Sequence, residues 1–462
     1  MELVYKIVNY VSRNRLLKDW LIAAFFIIIT ARLAYYLAFY PGSNVAPLII
    51  AVIVIILTLY RPVIGIAIYL VGYPLVPGSA SVDIVKVGML ALTCLILFIW
   101  WWQNIRDQRK PWLLPEYKWL FIFFLYLGLS PLLGLKYGFG VMDWARDIAP
   151  LLNLLLIPVL ADYFKDKNNR WLLYLVFIPI AAGMMRDILF LLHTYGFPAM
   201  PFLYFIPVRL STFHPGLFFG LGLILYIQKA PHKRLWLLFV LLSLGVSLLT
   251  PTRTVWLALG FMVGLLLIFY SQHRRKAVIL IIVMLAIMGL VMARGGGSGS
   301  YREQQTSRYQ QFLGYQADPS VKSRFDELYQ TMDLFKSSPI YGVGFGYQYH
   351  FWRHWVMAYK GSGYFDTNFT HNDITNFAAK GGLAGLILLA LALRGLLKAM
   401  QKKRLTGLDP LSRTWAVFGI IAVIQSFFVG LSTPVYQTRE AIFILAVIIA
   451  ISLSYNSEVS ND

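Results

Sequence analysis

Long apolar segments recur along the whole chain, and one long polar stretch separates the last three from the rest. Most of them approach the roughly 20 residues that a helix needs to cross a bilayer. The pattern predicts an all-α, polytopic helical membrane protein with 12–14 transmembrane helices; 14 segments are counted, and the short pair at 46–76 leaves 12 open. The predicted helices lie at 20–39, 46–60, 62–76, 86–103, 119–135, 147–164, 171–192, 214–229, 235–249, 254–271, 277–293, 377–397, 414–431 and 439–455.

The polar stretch, residues 294–376, is predicted to be an external catalytic loop between an N-terminal transmembrane bundle (1–293) and C-terminal transmembrane helices (377–462). It opens on a glycine- and serine-rich hinge. Apolar residues recur at helical spacing from 323 to 335, which predicts a short helix lying along the membrane surface. Ser323 with Asp326 resembles a capping box at its start. The glycine-rich run 342–346 predicts a tight turn after it.

Charged residues are scarce and strongly biased towards basic ones. They make up 13% of the 462 residues, against about 25% in a typical soluble protein, and the net charge is +20, from 41 basic and 21 acidic residues. Basic clusters occupy alternate loops, so the positive-inside rule places all of them, with both chain ends, in the cytoplasm. That rule explains the charge without a nucleic-acid partner. The single cysteine, Cys94, excludes an intrachain disulfide, and no removable signal peptide is expected.

A few arginines fall on the predicted external side and need a separate reason. Arg253 stands at the mouth of an apolar helix, and Arg209 stands just before another. A snorkelling arginine is the ordinary explanation, but it is expected on the cytoplasmic side. A guanidinium matches phosphate oxygens two at a time, so two converging arginines suit a diphosphate headgroup. Arg146, Arg186 and Arg324 rank lower, because the first two precede aspartates with which they can form structural ion pairs.

His371 is the candidate general base, at the end of the polar stretch and directly before an apolar helix. An unperturbed histidine titrates near about pH 6.5, and the positive end of a following helix favours the neutral ring. A positioned base contributes about 10²–10⁴ in rate. From the residues alone, capping or packing is the commoner role for a lone histidine, and Asn372 is the predicted helix cap. Aromatic neighbours predict that His350 and His354 are packed.

Several motifs are absent from the sequence. No outer loop carries an Asp-x-Asp pair, and no phosphate-binding loop of the Gly-x-x-x-x-Gly-Lys type occurs. No cluster of His, Cys and Asp has metal-ligand spacing. The sequence therefore predicts neither a metal nor another cofactor.

Three segments together resemble the O-antigen ligase/polymerase superfamily. The third is the most specific, because a His-Asn pair precedes a Gly-Leu-x-Gly-Leu helix start at a fixed distance. The segments are RLSTFHP at 209–215, which includes His214, TRTVWLAL at 252–259, and SPIYGVG at 338–344 followed by THN at 370–372 and GLAGL at 382–386. The resemblance covers roughly residues 140–400.

The resemblance implies a GT-C-like, metal-independent, inverting glycosyltransferase at the periplasmic or extracellular face of the bacterial cytoplasmic membrane. Its donor would be a glycan on undecaprenyl diphosphate, bound by Arg209 and Arg253, and His371 would deprotonate the acceptor hydroxyl. Arg324 matches a less constant basic position. The chain departs from the family at Asp373, where an apolar or aromatic residue often follows the asparagine.

The acceptor stays open at this point. It can be a lipid A core sugar, a second lipid-linked repeat unit, or a protein serine or threonine, as in a protein O-oligosaccharyltransferase. A transporter or flippase for lipid-linked glycans is the alternative of another class. It predicts charges at mid-membrane and broken helices in inverted repeats, whereas the candidate charges here cluster at one predicted face.

Overall fold

The computed structural model describes residues 45–75, 84–169, 171–194, 213–228, 230, 232–250, 253–270, 275, 278–279, 282, 286, 319–356, 361–407 and 409–454. Of these residues, 82% are helical. The longer elements are α1 (Val45–Tyr60), α2 (Pro62–Leu75), α3 (Ile84–Arg106), α4 (Lys118–Leu129), α5 (Pro131–Tyr137), α6 (Val141–Lys165), α7 (Trp171–Thr194), α8 (Phe213–Ile227), α9 (Lys233–Leu249), α10 (Arg253–Phe269), α11 (Pro319–Ser337), β1 (Tyr349–Val356), β2 (Gly361–Thr367), α12 (Asp373–Thr406), α13 (Pro410–Gly430) and α14 (Arg439–Ser454).

Within the described ranges, 6 helical segments are long and apolar enough to cross a membrane. They are Lys86–Arg106, Lys118–Tyr137, Val141–Lys165, Trp171–Phe190, Asp373–Thr406 and Pro410–Gly430. These helices fit a multi-pass membrane protein and confirm the coarse prediction of a helical membrane fold. The count of 14 spans, the external position of the polar stretch and the division at 293 and 376 stay predictions. The predicted helix at 20–39 lies outside the described residues, and the one at 277–293 is described at only a few positions.

The polar stretch departs from the all-α prediction, because β1 and β2 form an antiparallel hairpin. Side chains alternate along β1: Tyr349 and Phe351 are buried, whereas His350 and Trp352 are exposed. His350 does pack against an aromatic ring, that of Tyr364, but its side chain is 64% exposed rather than buried. The side chain of His354 lies outside the described set. Aromatic residues on both faces of the strand hid the alternation in the sequence.

At two predicted helices, a proline places a helix boundary where the prediction had none. The predicted surface helix forms, but α11 begins at Pro319, because proline suits the first helical position. Ser323 is therefore interior, and the predicted capping box is wrong. The predicted helix at 119–135 is interrupted, with α4 ending at Leu129 and α5 beginning at Pro131. Proline lacks the N–H that would continue the helical hydrogen bonds.

The described chain forms two compact units. The first contains the described residues up to Arg109 together with Asp166–Gly183. In it, α1, α2 and α3 pack on one another. Buried Thr58 lies against Gly65, where a larger side chain would overlap it.

The second unit contains Lys110–Lys165 and the described residues from Met184 onwards. In it, α14 packs on α6 and α13, α8 on α9 and α10, and α12 on α4 and α13. The hairpin packs on α11, which in turn packs on α12. The ring of Phe377 in α12 contacts the rings of Phe123, Phe345 and Tyr436, with centroid distances of 6.5, 5.6 and 6.3 Å. The start of α12 is thus the point where the polar stretch meets the helical core.

Candidate active site

A glycine-rich turn is built into a break in α12. Gly382 has φ +59° and ψ −166°, so the helix is interrupted there. Backbone hydrogen bonds to the turn replace those that the helix loses at the break. Two turn N–H groups donate to helix carbonyls: Val343 to Ala379 (2.8 Å) and Gly344 to Lys380 (2.9 Å). Two helix N–H groups donate to carbonyls at the start of the turn: Leu383 to Pro339 (2.8 Å) and Ala384 to Ile340 (3.0 Å). A Cβ at Gly342 or at Gly382 would overlap the backbone that it faces. These glycines allow the polar stretch to lock onto the helix.

A buried ion pair joins the same region to α6. Lys380 Nζ contacts Asp147 Oδ2 and donates to the Asn368 carbonyl at 2.5 Å. The side chains of Lys380 and Asp147 are only 1% and 6% exposed. Asp147 also accepts from the Gly346 N–H at 2.7 Å and the Asn368 Nδ2 at 3.0 Å. Every partner lies in the turn, in the segment after β2, or in the two helices, so the pair fixes the route of the chain towards His371.

Tyr349 extends this network from the inner face of β1. Its ring lies 5.0 Å from Lys380 Nζ, and its hydroxyl donates to Asn376 Oδ1 at 2.9 Å. Complete burial raises the pKa of Tyr349 well above its usual value, so the hydroxyl stays a neutral donor. The hairpin is thereby attached to the first turn of α12.

The start of α12 is capped and bound to the loop between α13 and α14. The Asn372 side chain accepts from the Thr375 N–H at 3.1 Å, which confirms the predicted cap. Asp373 is buried and accepts from Val435 N–H (2.8 Å), Tyr436 N–H (3.1 Å) and Gln437 Nε2 (2.8 Å). Asp373, the departure from the family pattern, therefore anchors a second loop beside His371.

His371 is held by a carboxylate from α11. Its Nδ1 lies 2.9 and 3.2 Å from the two oxygens of Glu327, and its backbone N–H donates to Glu327 at 3.1 Å. The Glu327 side chain is 4% exposed, whereas that of His371 is 32% exposed. The buried face of α11 carries Ser323, Glu327 and Thr331 at helical spacing. Helical geometry therefore points Glu327 inward, under an imidazole that still reaches the surface.

This arrangement selects one tautomer of the imidazole. A carboxylate can only accept, so Nδ1 carries the proton and Nε2 keeps its lone pair. No described residue forms a hydrogen bond with Nε2. The carboxylate also stabilises the imidazolium that forms when the ring takes up a proton. Chemically, such a pair can act as an oriented general base.

The other predicted site residues have varied positions. Arg209 and the side chain of Arg253 lie outside the described set, although Arg253 begins α10. Arg324 is exposed on α11, next to the Glu327 turn. Arg146 pairs with Asp143 rather than with Asp147, which Lys380 takes. The predicted convergence of arginines and histidine stays a prediction.

The two remaining candidates lie inside the helical part of the chain. Arg186 is half-buried in α7. His214 is 1% exposed, stacks on Phe218 with a centroid distance of 6.2 Å, and has its Nε2 3.3 Å from the Glu440 carbonyl. These contacts give His214 a packing role. Within the described residues, no three His, Cys, Asp or Glu side chains cluster in a way that could hold a metal ion.

Sequence reasoning missed Glu327, Asp147 and Lys380. The sequence does contain an indication that Glu327 is special, since it stands one turn after Ser323 on the polar side of a helix whose other side is apolar. Lys380 had a stronger one, because it is a lysine within the apolar start of a predicted transmembrane helix. Their charged partners are 44 positions away for Glu327 and 233 positions away for Lys380, and only folding could show those pairings.

Residues 217–390 match the family described as O-Antigen ligase. The match supports the resemblance to the O-antigen ligase/polymerase superfamily, and the family that this segment matches is a glycosyltransferase-like ligase family. No curated protein matched the chain.

The O-antigen ligase match runs from α8 to the middle of α12. It contains Arg253, Glu327, His371 and Lys380, and it begins shortly after Arg209. A membrane protein of this family would use lipid-linked glycans. The Glu327–His371 pair thus lies within the part of the chain that carries the family identity.

Proposed function

We propose that this protein is a membrane glycosyltransferase that transfers or polymerises undecaprenyl-diphosphate-linked oligo- or polysaccharide onto an acceptor sugar hydroxyl. The reaction is inverting and needs no metal, and it takes place at the external face of the bacterial cytoplasmic membrane. The observation that carries the proposal is the contact between His371 Nδ1 and buried Glu327 within an O-antigen ligase family domain. That contact gives a base whose free nitrogen is accessible.

In the proposed reaction, the acceptor hydroxyl oxygen attacks the anomeric carbon from the face opposite the diphosphate. The new carbon–oxygen bond forms as the bond to the diphosphate oxygen breaks, and the leaving oxygen takes the electron pair. The hydroxyl proton passes to Nε2 of His371. Glu327 stabilises the resulting imidazolium.

The proposal assigns the diphosphate to Arg209 and Arg253. Residue type and family resemblance support this assignment, because a guanidinium is always charged and binds two phosphate oxygens at once. Charge that develops on the leaving diphosphate would be stabilised by the same two groups. Arg146, Arg186 and Arg324 stay secondary candidates for contacts with the anionic donor.

A transporter would also use intramembrane charges and a broken helix, and this chain has both. Their contacts favour the enzyme. Lys380 and Asp147 lie within about two turns of the ends of α12 and α6, and they neutralise each other. The backbone groups around Gly382 are bonded to the turn, so they are not free to bind an ion.

The proposed function is tested by reconstitution. Purified full-length protein in liposomes is given undecaprenyl-diphosphate oligosaccharide and, in separate reactions, a lipid A core acceptor, more of the donor, or a serine- and threonine-containing protein. We expect one acceptor to gain the mass of the glycan without added metal. If none of the three gains glycan while donor disappears across the bilayer, the protein is a flippase.

In the same preparation, Arg253→Lys is expected to weaken donor binding about tenfold, because an ammonium cannot form the bidentate contact. Binding is measured with radiolabelled lipid-linked donor. Arg275→Lys, a basic-to-basic change on the predicted cytoplasmic side, is the matched control. Unchanged donor binding by Arg253→Lys would contradict the diphosphate role.

Glu327→Gln is expected to lower kcat by about 10²-fold and to leave KM for the donor unchanged. The amide retains a hydrogen-bonding group but removes the charge that stabilises the imidazolium. Steady-state transfer kinetics give both constants, and the thermal unfolding midpoint reports any structural loss.

The control for Glu327→Gln is Asp333→Asn on the same helix. Its carboxylate is 73% exposed and pairs with Lys336 at the surface, so both kcat and the unfolding midpoint should stay at the wild-type value. A fall in the unfolding midpoint of Glu327→Gln, with kcat unaffected in the folded fraction, would reduce Glu327 to a structural residue.

A further inference from the structure

The outer face of the hairpin carries a compact group of exposed aromatic and polar side chains. We call His350, Trp352, Tyr364 and Asp366 the hairpin platform. In the register of the sheet, His350 is opposite Asp366 and Trp352 is opposite Tyr364, so all four project from one face. The inner face of β1, with Tyr349 and Phe351, is buried.

The platform is ordered by its own contacts. The rings of His350 and Tyr364 are nearly parallel, with centroids 4.6 Å apart and planes 8° apart. Trp352 meets Tyr364 edge-on at 5.1 Å and 78°. His350 Nδ1 and Asp366 Oδ1 are 2.5 Å apart. The side chains therefore present a fixed surface before any ligand arrives, which lowers the entropic cost of binding.

We propose that the hairpin platform binds the sugar chain of a glycan substrate; this inference rests on the proposed glycosyltransferase function. The C–H groups on one face of a pyranose ring carry partial positive charge and pack on the electron-rich face of an aromatic ring. Hydroxyl groups at the ring edge need hydrogen-bond partners, and the carboxylate of Asp366 and the imidazole of His350 supply them. Aromatic faces beside polar groups are what a carbohydrate requires.

The polar pair argues against lipid as the occupant. Trp352 and Tyr364 are 38% and 58% exposed, which alone would suit a membrane interface. However, His350 and Asp366 are 64% and 69% exposed on the same face. The carboxylate of Asp366 on this surface would lose its hydration against hydrocarbon, whereas sugar hydroxyls replace that hydration.

The platform is continuous with the candidate base. β2 ends at Thr367, and His371 follows four positions later. Phe369 lies between them in sequence, and its ring meets that of His371 edge-on at 6.0 Å. His371 comes seven positions after Tyr364, and seven steps of chain span at most about 25 Å. A glycan bound to the platform therefore lies on the same chain segment as His371. That histidine would activate a hydroxyl of the bound glycan if the glycan is the acceptor, or a hydroxyl of the other substrate if the glycan is the donor.

The test measures glycan binding without the lipid carrier. Lipid-linked oligosaccharide from the host membrane is cleaved with mild acid, and the released glycan is titrated into full-length protein in nanodiscs with NMR saturation transfer as the readout. The variants Trp352→Ala and Tyr364→Ala should each bind about tenfold more weakly than wild type. The conservative variants Trp352→Tyr and Tyr364→Phe should retain binding, because they keep the aromatic faces.

Tyr329→Ala is the matched control, since Tyr329 is a similarly exposed tyrosine, at 66%, on the apolar side of α11. It should bind the released glycan like wild type. Equal binding by Tyr364→Ala and wild type would overturn the proposal and leave the platform as a lipid contact. Glycan binding is measured without transfer, so the two proposals can fail separately. If the wild-type protein transfers no glycan, the proposed function is contradicted, whereas the binding comparison still decides the role of the platform.

Transfer kinetics then identify the source of the bound glycan. If the platform binds the donor glycan, Trp352→Ala should raise KM for the donor about tenfold. If the platform binds the acceptor glycan, the same substitution should raise KM for the acceptor instead. A donor that carries a single sugar should be insensitive to the substitution. A fall in kcat with both KM values unchanged would contradict a binding role.

Discussion

Replacement of His371 by asparagine is expected to reduce glycan transfer about 10²–10⁴-fold while donor binding stays at the wild-type level. The amide of asparagine can donate to Glu327 from nearly the position of Nδ1, so the buried carboxylate keeps a partner. The variant lacks only the nitrogen that would accept the proton. Alanine at position 371 should be equally inactive but less stable, because the buried Glu327 carboxylate then loses the imidazole Nδ1 that lies 2.9 and 3.2 Å from its two oxygens.

Transfer and donor binding are measured on the same proteoliposomes, with radiolabelled donor for binding and product mass for transfer. His232→Asn is the matched control. His232 is exposed, has a left-handed backbone conformation (φ +59°) that asparagine tolerates, and lies in a loop of predicted cytoplasmic position. Transfer by His371→Asn at more than a tenth of the wild-type rate would remove His371 as the base.

Lys380→Met is expected to destabilise the protein by about 3–5 kcal/mol, because it leaves the Asp147 carboxylate buried without a cation. For a protein of this size, the thermal unfolding midpoint in detergent should fall by on the order of 10 °C. The surviving folded protein should also lose transfer activity, since Lys380 and Asp147 both bind Asn368, which stands three residues before His371.

A double-mutant cycle separates this pair from a simple packing effect. Asp147→Leu combined with Lys380→Met replaces two opposite charges with two apolar groups, and we expect the double variant to be more stable than the sum of the single losses by about 1–3 kcal/mol. Lys336→Met breaks an exposed pair, with side chains 71% and 73% exposed, and should change stability by less than about 1 kcal/mol. Additive losses at Asp147 and Lys380 would contradict their coupling.

The sequence predicted the helices because bilayer-length apolar runs leave few alternatives. Most described helices begin and end within a few residues of the predicted bounds, and the turn at 342–346 and the Asn372 cap follow from local residue chemistry. The hairpin was missed because the alternating pattern of β1 uses aromatic residues on both faces, so burial and exposure do not follow polarity. The interruption at Pro131 was visible in the sequence but was outweighed by the apolar run around it.

For the candidate active site, the sequence alone pointed to His371 as the candidate base, since a histidine before a capped helix is a local pattern that a family resemblance can identify. Only the tertiary structure decided what acts on that histidine. Glu327 approaches from a helix 44 positions earlier, and Asp147 reaches Lys380 across 233 positions. Such pairings depend on how helices pack, because each carboxylate is stable in the interior only where folding brings it a donor or a cation. No local pattern of residues predicts which carboxylate will pair with which distant donor or cation.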